Sequence, residues 1–349
     1  MNAKVPLCML ALLVTCSTVA ISQSFDSMSV YKPQQHVFGT IRISGDEHQA
    51  VMLRNWERDF HSYQPEVLFD DHLTSTVHGI PALVFDVADL ALLGREIAPL
   101  ENLSFRRMFK YDPLEITTAT GSYDTPYQAF ALGVFVNKEN PLSQLTLSQA
   151  AAIFGCGPGK NIRTWCQLGL TGEWANKQIH VFGYPAGNNI ATFFELKVLQ
   201  GPPSGGPTLP NGVRWNCDLR EYSNSYDKND KPVVSSDAFM MQDLGKDKYA
   251  IAYSGIREMT PQVKALALAA SDGGPYIPFS LETVANRTYP LSRSMYIYLN
   301  KAPDKPLDPK IVEFLRFILS RQGQESVAQQ KVFLPLPAVT ISEQLKKLQ

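Results

Sequence analysis

Residues 129–155, AFALGVFVNKENPLSQLTLSQAAAIFG, decide the fold class of this 349-residue chain. The run AFALGVFVN is apolar, which is typical of a buried strand, and the segment NKENP that follows is typical of a turn. Thr146 stands three residues before Gln149, the spacing of a capping box, and Gly155 follows the apolar run as a helix stop. The stretch therefore predicts a strand, a short connection and a helix.

The same alternation of strand and helix continues on both sides of this stretch. Residues 37–43, VFGTIRI, have the pattern of a strand, and the next segment places Met52, Trp56 and Phe60 on one face of a helix. Further strands are predicted at ADLALL, QIHVFGY, YAIAYSGI and SMYIYLN, and further helices at HGIPALVF and IATFFELKVL. Alternating strands and helices predict an α/β protein whose ligands bind at the loops beyond the strand ends.

A last helical pattern, DPKIVEFLRFILSRQGQESVAQQ, is predicted near the end of the chain. Asp308 has the position of its cap and Pro309 that of its first helical residue. We expect this helix to break near Gly323.

The first residues predict export. Lys4 precedes the apolar run VPLCMLALLV, and small residues follow, which is the order of a secretory signal peptide over residues 1–22. The alternative is a lipid anchor at Cys16, because LVTC resembles a lipoprotein box. No later segment reaches the length of apolar sequence that spans a bilayer, so no transmembrane segment is expected in the mature chain.

The composition of the chain limits the classes of partner and chemistry that are expected. The formal net charge of -1 argues against a nucleic-acid partner, which requires a basic surface. In an oxidising compartment, Cys156 and Cys166 are predicted to form a disulfide across the intervening glycines and proline, leaving Cys217 unpaired. Ser254 lacks the G-x-S-x-G elbow of a hydrolase, so no enzymatic activity and no cofactor are predicted.

Six segments occur together in the order that marks a known family. They are the stretch at 129–155 and TWCQLG, IHVFGYPAGNNIATFFELKVL, YAIAYSGI, YPLSRSMYIYLNK and IVEFLRFILSRQGQESVAQQKVFLPLP. With them the chain resembles the phosphate-binding proteins of ABC importers, which are extracytoplasmic solute-binding proteins. The resemblance implies an α/β fold of the two-lobed, type II periplasmic-binding-protein clamshell kind, with two crossover hinge strands near LGVFVN and MYIYLN.

The resemblance also implies the domain organisation. The first lobe would comprise residues 38–130 and 290–337, and the second lobe residues 131–289. Residues 338–349 would form a C-terminal tail. The ligand would lie in the cleft, because small ligands favour the interface between domains.

The turn at residues 183–195 differs from the pattern of the family that it resembles. In the phosphate binders an Arg follows the strand and a Ser-Gly-Thr opens the helix, whereas this chain has Tyr184 and then Asn188, Asn189 and Ile190. Tyrosine cannot reproduce the planar two-point grip of an arginine on phosphate. The two asparagines are expected to bind the ligand, or to serve only as a helix cap.

The loops of the first lobe also differ in part. The first loop has Asp46, Glu47 and His48 where donors are expected, and the second keeps the hydroxyls of TST at residues 74–76. In the third loop Gly94 stands where some phosphate binders have an Asp that accepts the proton of the anion. Arg95, the next residue, is expected to supply the positive charge, or else to pair with Glu96 on the surface.

The resemblance thus implies capture of a small oxyanion, with phosphate as the first candidate, for an ABC permease or a sensor. The expected ligand-binding residues are Gly45, Glu47, Thr74, Ser75, Thr76, Arg95, Gly187, Asn188 and Asn189. The alternatives are a clamshell that binds another ligand, such as a metal, or one that has a structural or signalling role without transport. The candidate metal ligands are His48, His72, His78, Asp70, Asp71 and Glu47, although their spacing matches no standard site.

Overall fold

The computed structural model describes residues 25–125, 129–156, 161–185, 188–199, 214–226 and 232–349. The predicted signal peptide, residues 157–160 of the turn between the two cysteines, and Gly187 lie outside these residues. What is described forms two mixed α/β lobes, each built on a five-stranded sheet.

Sixteen strands are found among the described residues. In chain order they are β1 (Gly39–Gly45), β2 (Val67–Leu73), β3 (Leu90–Leu93), β4 (Leu114–Thr120), β5 (Gly133–Asn137), β6 (Gln144–Thr146), β7 (Gly155–Cys156), β8 (His180–Gly183), β9 (Arg214–Trp215), β10 (Arg220–Glu221), β11 (Ser225–Tyr226), β12 (Pro232–Val234), β13 (Ala250–Ser254), β14 (Val263–Ala265), β15 (Ala267–Ala269) and β16 (Ser294–Leu299).

The α-helices of the same residues follow the strands closely in sequence. They are α1 (Ala50–His61), α2 (Thr76–Val84), α3 (Pro99–Phe109), α4 (Leu147–Phe154), α5 (Asn189–Phe194), α6 (Ser236–Lys246), α7 (Leu281–Ala285), α8 (Pro309–Ile318), α9 (Arg321–Gln329) and α10 (Ala338–Lys346). Short 3-10 helices lie at Glu47–Gln49, Trp165–Leu168 and Gly172–Trp174, and α5 continues as a π-helix at Glu195–Leu199.

The two large sheets have the same plan. The first has the order β2-β1-β3-β16-β4, and the second has the order β10-β8-β13-β5-β14. In each, three parallel strands are followed by an antiparallel strand, β16 or β5, that comes from a crossing between the lobes. The loops after the parallel strands of both sheets face the cleft, as expected of ligand-binding loops in α/β proteins.

The chain passes between the lobes before β5 and again before β16, and the two passages lie side by side. The backbone N–H of Gly121 donates to the carbonyl of Arg293 at 2.9 Å, and that of Leu132 donates to the carbonyl of Leu291 at 3.1 Å. The predicted hinge strands are therefore central strands of the two sheets, and the crossings lie at their N-terminal ends. Backbone hydrogen bonds to neighbouring strands hold β5 and β16 on both sides. If the lobes move relative to each other, the chain is therefore expected to bend in the crossings.

Each lobe has its own apolar core. In the first, Trp56 and Phe60 of α1 are fully buried, and the Phe60 ring lies 5.2 Å from that of Phe314 in α8. In the second, the rings of Phe194 and Tyr253 stack with centroids 4.0 Å apart. The helical face predicted from Met52, Trp56 and Phe60 is thus the buried face of α1.

The C-terminal region differs in detail from the prediction. The helix that begins with Asp308 as cap and Pro309 ends at Ile318, and Ser320 caps the next helix. The break that was expected near Gly323 lies a few residues earlier, between Ile318 and Arg321. Gly323 itself lies inside α9, where a Cβ would meet the carbonyl oxygen of Phe317 at 2.3 Å. The predicted tail contains α10, and the Gln344 side chain accepts a hydrogen bond from the backbone N–H of Thr117 at 3.0 Å.

Candidate functional site

A cavity of about 110 Å³ lies between the two lobes. Loops after β1 and β3 and the start of α2 form its first wall, α5 forms the second, and the two crossings close it. Its lining residues are Asp46, His48, Thr76, Gly94, Arg95, Ala129, Phe130, Asn189, Ile190 and Arg293. The volume is well below the roughly 300–1,000 Å³ of pockets for drug-sized ligands, so the cavity suits a small ion.

Arg293 is the cation of this cavity, and the sequence analysis did not identify it. One guanidinium NH2 group donates to the carbonyl of Gly94 at 2.7 Å, but Nε is buried and has no hydrogen-bond partner among the described residues. The guanidinium also lies 4.9 Å from the ring centroid of Phe193. Burial lowers the pKa of Arg293 to about 10, although the charges of Asp46 and Glu96 oppose this effect, so the side chain is cationic at neutral pH.

Arg95 lines the cavity, but its charge is already paired. Its two terminal nitrogens donate to the two carboxylate oxygens of Glu101, each at 2.8 Å, and one of them also donates to the carbonyl of Glu96 at 2.9 Å. Both side chains of this ion pair are largely buried. The expectation that Arg95 supplies the free positive charge of the site therefore lacks support in this geometry.

Asp46 and His48 form a second polar unit at the cavity. Asp46 Oδ1 accepts hydrogen bonds from the backbone N–H of His48 at 3.1 Å and from its Nδ1 at 2.8 Å. This hydrogen bond raises the pKa of His48 above its usual value, against the effect of burial. The other carboxylate oxygen of Asp46 lies beside Gly94, where a Cβ would come within 2.5 Å of it.

Three of the predicted ligand-binding residues, Thr76, Arg95 and Asn189, come together in the cavity. Thr76 is the first residue of α2, so the N-terminal end of that helix lies at the cavity. Helix starts carry unpaired N–H groups and a partial positive charge, both of which favour an anion.

Other predicted residues of the first lobe are outside this cavity. The hydroxyl of Thr74 is paired with Nδ1 of His78 at 2.7 Å, and the backbone N–H of Ser75 donates to the carbonyl of Gly45 at 2.9 Å. Gly45 has a backbone role, because its φ is +136° and a Cβ there would lie 2.1 Å from the oxygen of Leu92. The Glu47 side chain is half exposed and does not line the cavity.

The turn at residues 183–195 is held by a different network from the one expected. Asn188 caps α5, its Oδ1 accepting from the N–H of Ile190 at 2.8 Å. It lines a neighbouring cavity of about 210 Å³, which shares Phe130 and Ile190 with the first cavity. Tyr184 is fully buried, and its hydroxyl donates to Asp237 at 2.5 Å and contacts Ser254 Oγ at 2.8 Å. Burial raises the pKa of Asp237 above its usual value.

The candidate metal ligands separate into different places. His72 pairs with Asp70 at 3.2 Å on the exposed side of β2. Among the described residues, a group of three ligand atoms close enough for a metal is formed only by Asp46, Glu47 and His48, whose atoms lie within 4.8 Å of one another. Asp46 and His48 already bind each other and line the cavity, whereas Glu47 does not line it.

The predicted disulfide between Cys156 and Cys166 is not formed, and Cys217 is also a free thiol. Cys156 belongs to β7, which pairs with β9, and the exposed Cys166 lies 3.2 Å from the hydroxyl of Thr164. Both residues are held in local structure that does not bring their sulfur atoms together.

Arg293 could have been found from one signal in the sequence. It stands immediately before the strand SMYIYLN, at the point where the resemblance predicts a crossing, and a charged residue beside a fully buried strand requires a partner. Phe193 and Phe130 carried no such signal, because aromatic residues in apolar runs are normally part of a core.

Comparisons with known proteins agree with this architecture. A family model for the PBP superfamily domain matches residues 32–322. The phosphate-binding protein PstS of Pseudomonas aeruginosa is 30% identical over 333 residues, which cover 94% of this chain and 93% of that protein.

Solved structures show the same fold at lower identity. PstS from Borrelia burgdorferi has a TM-score of 0.56 at 16% identity, covering 85% of this chain and 98% of its own. An ABC-type phosphate transport receptor from Vibrio cholerae has a TM-score of 0.53 at 20% identity, covering 85% of this chain and 100% of its own. The chain belongs to the PBP superfamily and has its two-lobed, type II clamshell fold.

Proposed function

We propose that this protein is an extracytoplasmic solute-binding protein that captures a small protonated oxyanion for an ABC-type importer or a sensor. Phosphate is the first candidate for this oxyanion. The observation that carries the proposal is Arg293, a buried cation with an unsatisfied N–H in a cavity of about 110 Å³ between the lobes. A buried guanidinium N–H without a hydrogen-bond partner is costly, and an anionic ligand that accepts from it removes that cost.

The names of the relatives agree with this ligand. The protein from Pseudomonas aeruginosa is named a phosphate-binding protein, and the solved structure from Vibrio cholerae is named an ABC-type phosphate transport receptor. The PBP superfamily domain is a binding module, and the proposal assigns this chain no reaction.

Four groups would hold the anion. Arg293 offers Nε, Thr76 offers its hydroxyl and the start of α2, and Asn189 approaches from the second lobe. Hydrogen bonds to a charged group contribute about 1.5–3 kcal/mol each, and micromolar binding needs about 8 kcal/mol in total. Four such bonds would contribute about 6–12 kcal/mol, a range that includes the value needed for micromolar affinity.

Asp46 suggests that the bound oxyanion carries a proton. An ionised carboxylate only accepts hydrogen bonds, so a ligand beside it must donate one. Monohydrogen phosphate and arsenate can donate, whereas sulfate at neutral pH cannot. The carboxylate of Asp46 takes the space beside Gly94 and so replaces an acidic side chain at position 94.

Export through a signal peptide at residues 1–22, or anchoring at Cys16, and the partnership with an ABC permease remain part of the proposal. Among the residues that the structure describes, no helix combines the length and the apolar character needed to cross a membrane.

Isothermal titration calorimetry on the purified, ligand-stripped protein tests the proposal. Phosphate and arsenate are expected to bind at micromolar concentration, sulfate much more weakly, and Asp46→Asn should reduce the preference for phosphate over sulfate. Titration with Zn²⁺ tests the alternative metal site at Asp46, Glu47 and His48. If phosphate and arsenate do not bind at millimolar concentration, the proposed function is wrong.

A further inference from the structure

One face of α5 and its π-helical continuation contacts the first lobe at three positions spaced four residues apart. Asn189 lines the cavity, Phe193 covers the guanidinium of Arg293 at 4.9 Å, and Lys197 binds Glu96 at 2.5 Å. Glu96 follows β3 in the first lobe, so the ion pair joins the lobes. Because the three contacts lie on one face, a separation of the lobes would break all three together.

Glu96 is bound on one oxygen only. Its Oε1 accepts from Lys197 and, at 2.6 Å, from the hydroxyl of Tyr296, whereas Oε2 is buried and has no partner among the described residues. Arg293 Nε is a buried donor that also lacks a partner. The structure therefore holds, in the same part of the first lobe, a buried acceptor and a buried donor of opposite charge that both lack a partner among the described residues.

The two groups already interact at a distance. The charge of Glu96 raises the pKa of Arg293 against the effect of burial, as does the charge of Asp46. Asp46 remains bound to His48 within its own loop, whatever the position of the second lobe. Glu96 is the carboxylate whose partner changes on opening, since Lys197 belongs to the other lobe.

We propose that Lys197 is a closure-dependent switch, which draws Glu96 away from Arg293 when the lobes close and so leaves the guanidinium to the oxyanion. This inference rests on the proposed function. In the open protein Lys197 has moved away, and Glu96 becomes the counter-ion of Arg293. Buried charges require a partner in both states, and the exchange of partners supplies one in each.

The consequence for binding is coupling between ligand affinity and closure. In the open state the oxyanion competes with Glu96 for Arg293, and in the closed state it does not. A ligand that binds one conformation better shifts the protein toward that conformation. Lys197 is thus a positioning residue that acts on the ligand through Glu96.

The test uses Lys197→Met, Glu96→Gln and the double variant, with Lys248→Met as the matched control. Lys248 forms an ion pair of the same type, at 3.2 Å from Glu173, within the second lobe. Phosphate affinity is measured by calorimetry, the radius of gyration of the ligand-free protein by small-angle scattering, and folding by thermal unfolding. Lys197→Arg keeps the charge and should retain the affinity of the wild type.

We expect Lys197→Met to bind phosphate about tenfold more weakly, a typical coupling between two sites, and to be more expanded without ligand. Glu96→Gln and the double variant should bind as well as the wild type, because no carboxylate then competes for Arg293. Recovery of phosphate affinity in the double variant would distinguish a switch from a simple salt bridge. With a simple salt bridge, both single variants would bind phosphate more weakly, and the double variant would remain weak.

Two failures can be told apart. If the wild type binds phosphate and Lys197→Met binds it equally well, or if the double variant is as weak as Lys197→Met, the switch is wrong and the proposed function stands. If the wild type does not bind phosphate, the proposed function is wrong and the switch, which needs that ligand, falls with it.

Discussion

The carboxylate of Asp46 occupies the space that a side chain at Gly94 would need: a Cβ there would lie 2.5 Å from Asp46 Oδ2. The two residues come from different loops, after β1 and after β3. The space beside position 94 can therefore hold a side chain from only one of the two loops, and in this chain that side chain is Asp46, from the first.

Gly94→Ala is therefore expected to displace the Asp46 carboxylate and to weaken phosphate binding about tenfold, the equivalent of about 1.4 kcal/mol. Calorimetry measures the loss. In an Asp46→Ala background the added methyl group has room, so Gly94→Ala should have no further effect there. Equal losses in both backgrounds would contradict the shared position.

Arg293→Met is expected to remove most of the phosphate affinity while the protein remains folded. The substitution deletes the cation that lacks a carboxylate partner and keeps much of the contact with Phe193. Calorimetry and thermal unfolding distinguish binding from stability. Phosphate affinity equal to that of the wild type in Arg293→Met would contradict the assignment.

Arg95→Met is expected to act mainly on stability, because it leaves Glu101 buried without its cation. Glu101 also accepts a hydrogen bond from the N–H of Ala98 at 2.7 Å, so the start of α3 is affected as well. The loss of a buried hydrogen-bond partner predicts a decrease of about 1–3 kcal/mol in the free energy of unfolding. Urea denaturation measures it, and an unchanged midpoint would show that the pair contributes little.

Tyr184→Phe should likewise lower stability by about 1–2 kcal/mol, because Asp237 and Ser254 lose the hydroxyl between them. Phosphate affinity should change little, since Tyr184 does not line the 110 Å³ cavity. The two measurements, denaturation and calorimetry, are made on the same sample. A large loss of affinity at unchanged stability would place Tyr184 in the ligand site instead.

The pKa of His48 in the folded protein is raised above 6.5, chiefly by its hydrogen bond to Asp46. The stabilisation is therefore fully present below pH 6.5 or so and is lost as the pH rises through the raised value. The ligand-free protein should melt at a lower temperature as the pH increases in this range. His48→Gln and Asp46→Asn should each reduce this dependence, and an equal slope in all three proteins would contradict the assignment.

The order of the elements was predictable because local patterns determine it. The capping box of Thr146 and Gln149 forms as expected, and so does the cap of α8 by Asp308. The sequence predicts a break near Gly323, and the break lies a few residues earlier, whereas Gly323 allows a close approach to the carbonyl of Phe317. Tertiary packing determines where the helix breaks, and the local sequence alone does not indicate that position.

The site was predictable only where residues lie directly at strand and helix ends, as Thr76 and Asn189 do. The pairing of Arg95 with Glu101 depends on the fold of the segment between β3 and α3, and spacing alone does not distinguish it from a ligand site. Arg293 comes from about 200 residues further along the chain than Gly94, to which it is bonded. A contact between residues so far apart in the sequence depends on the topology of the whole fold, which local sequence patterns do not determine.

The position of β16 between β3 and β4 has a consequence for folding. The first sheet cannot join β4 to its other strands until residues 294–299 have been synthesised, after the whole of the second lobe. The second lobe needs no strand from beyond β14 for its own large sheet. Contacts between distant parts of a chain form slowly, so the later, C-terminal part of the protein completes the lobe that was started first.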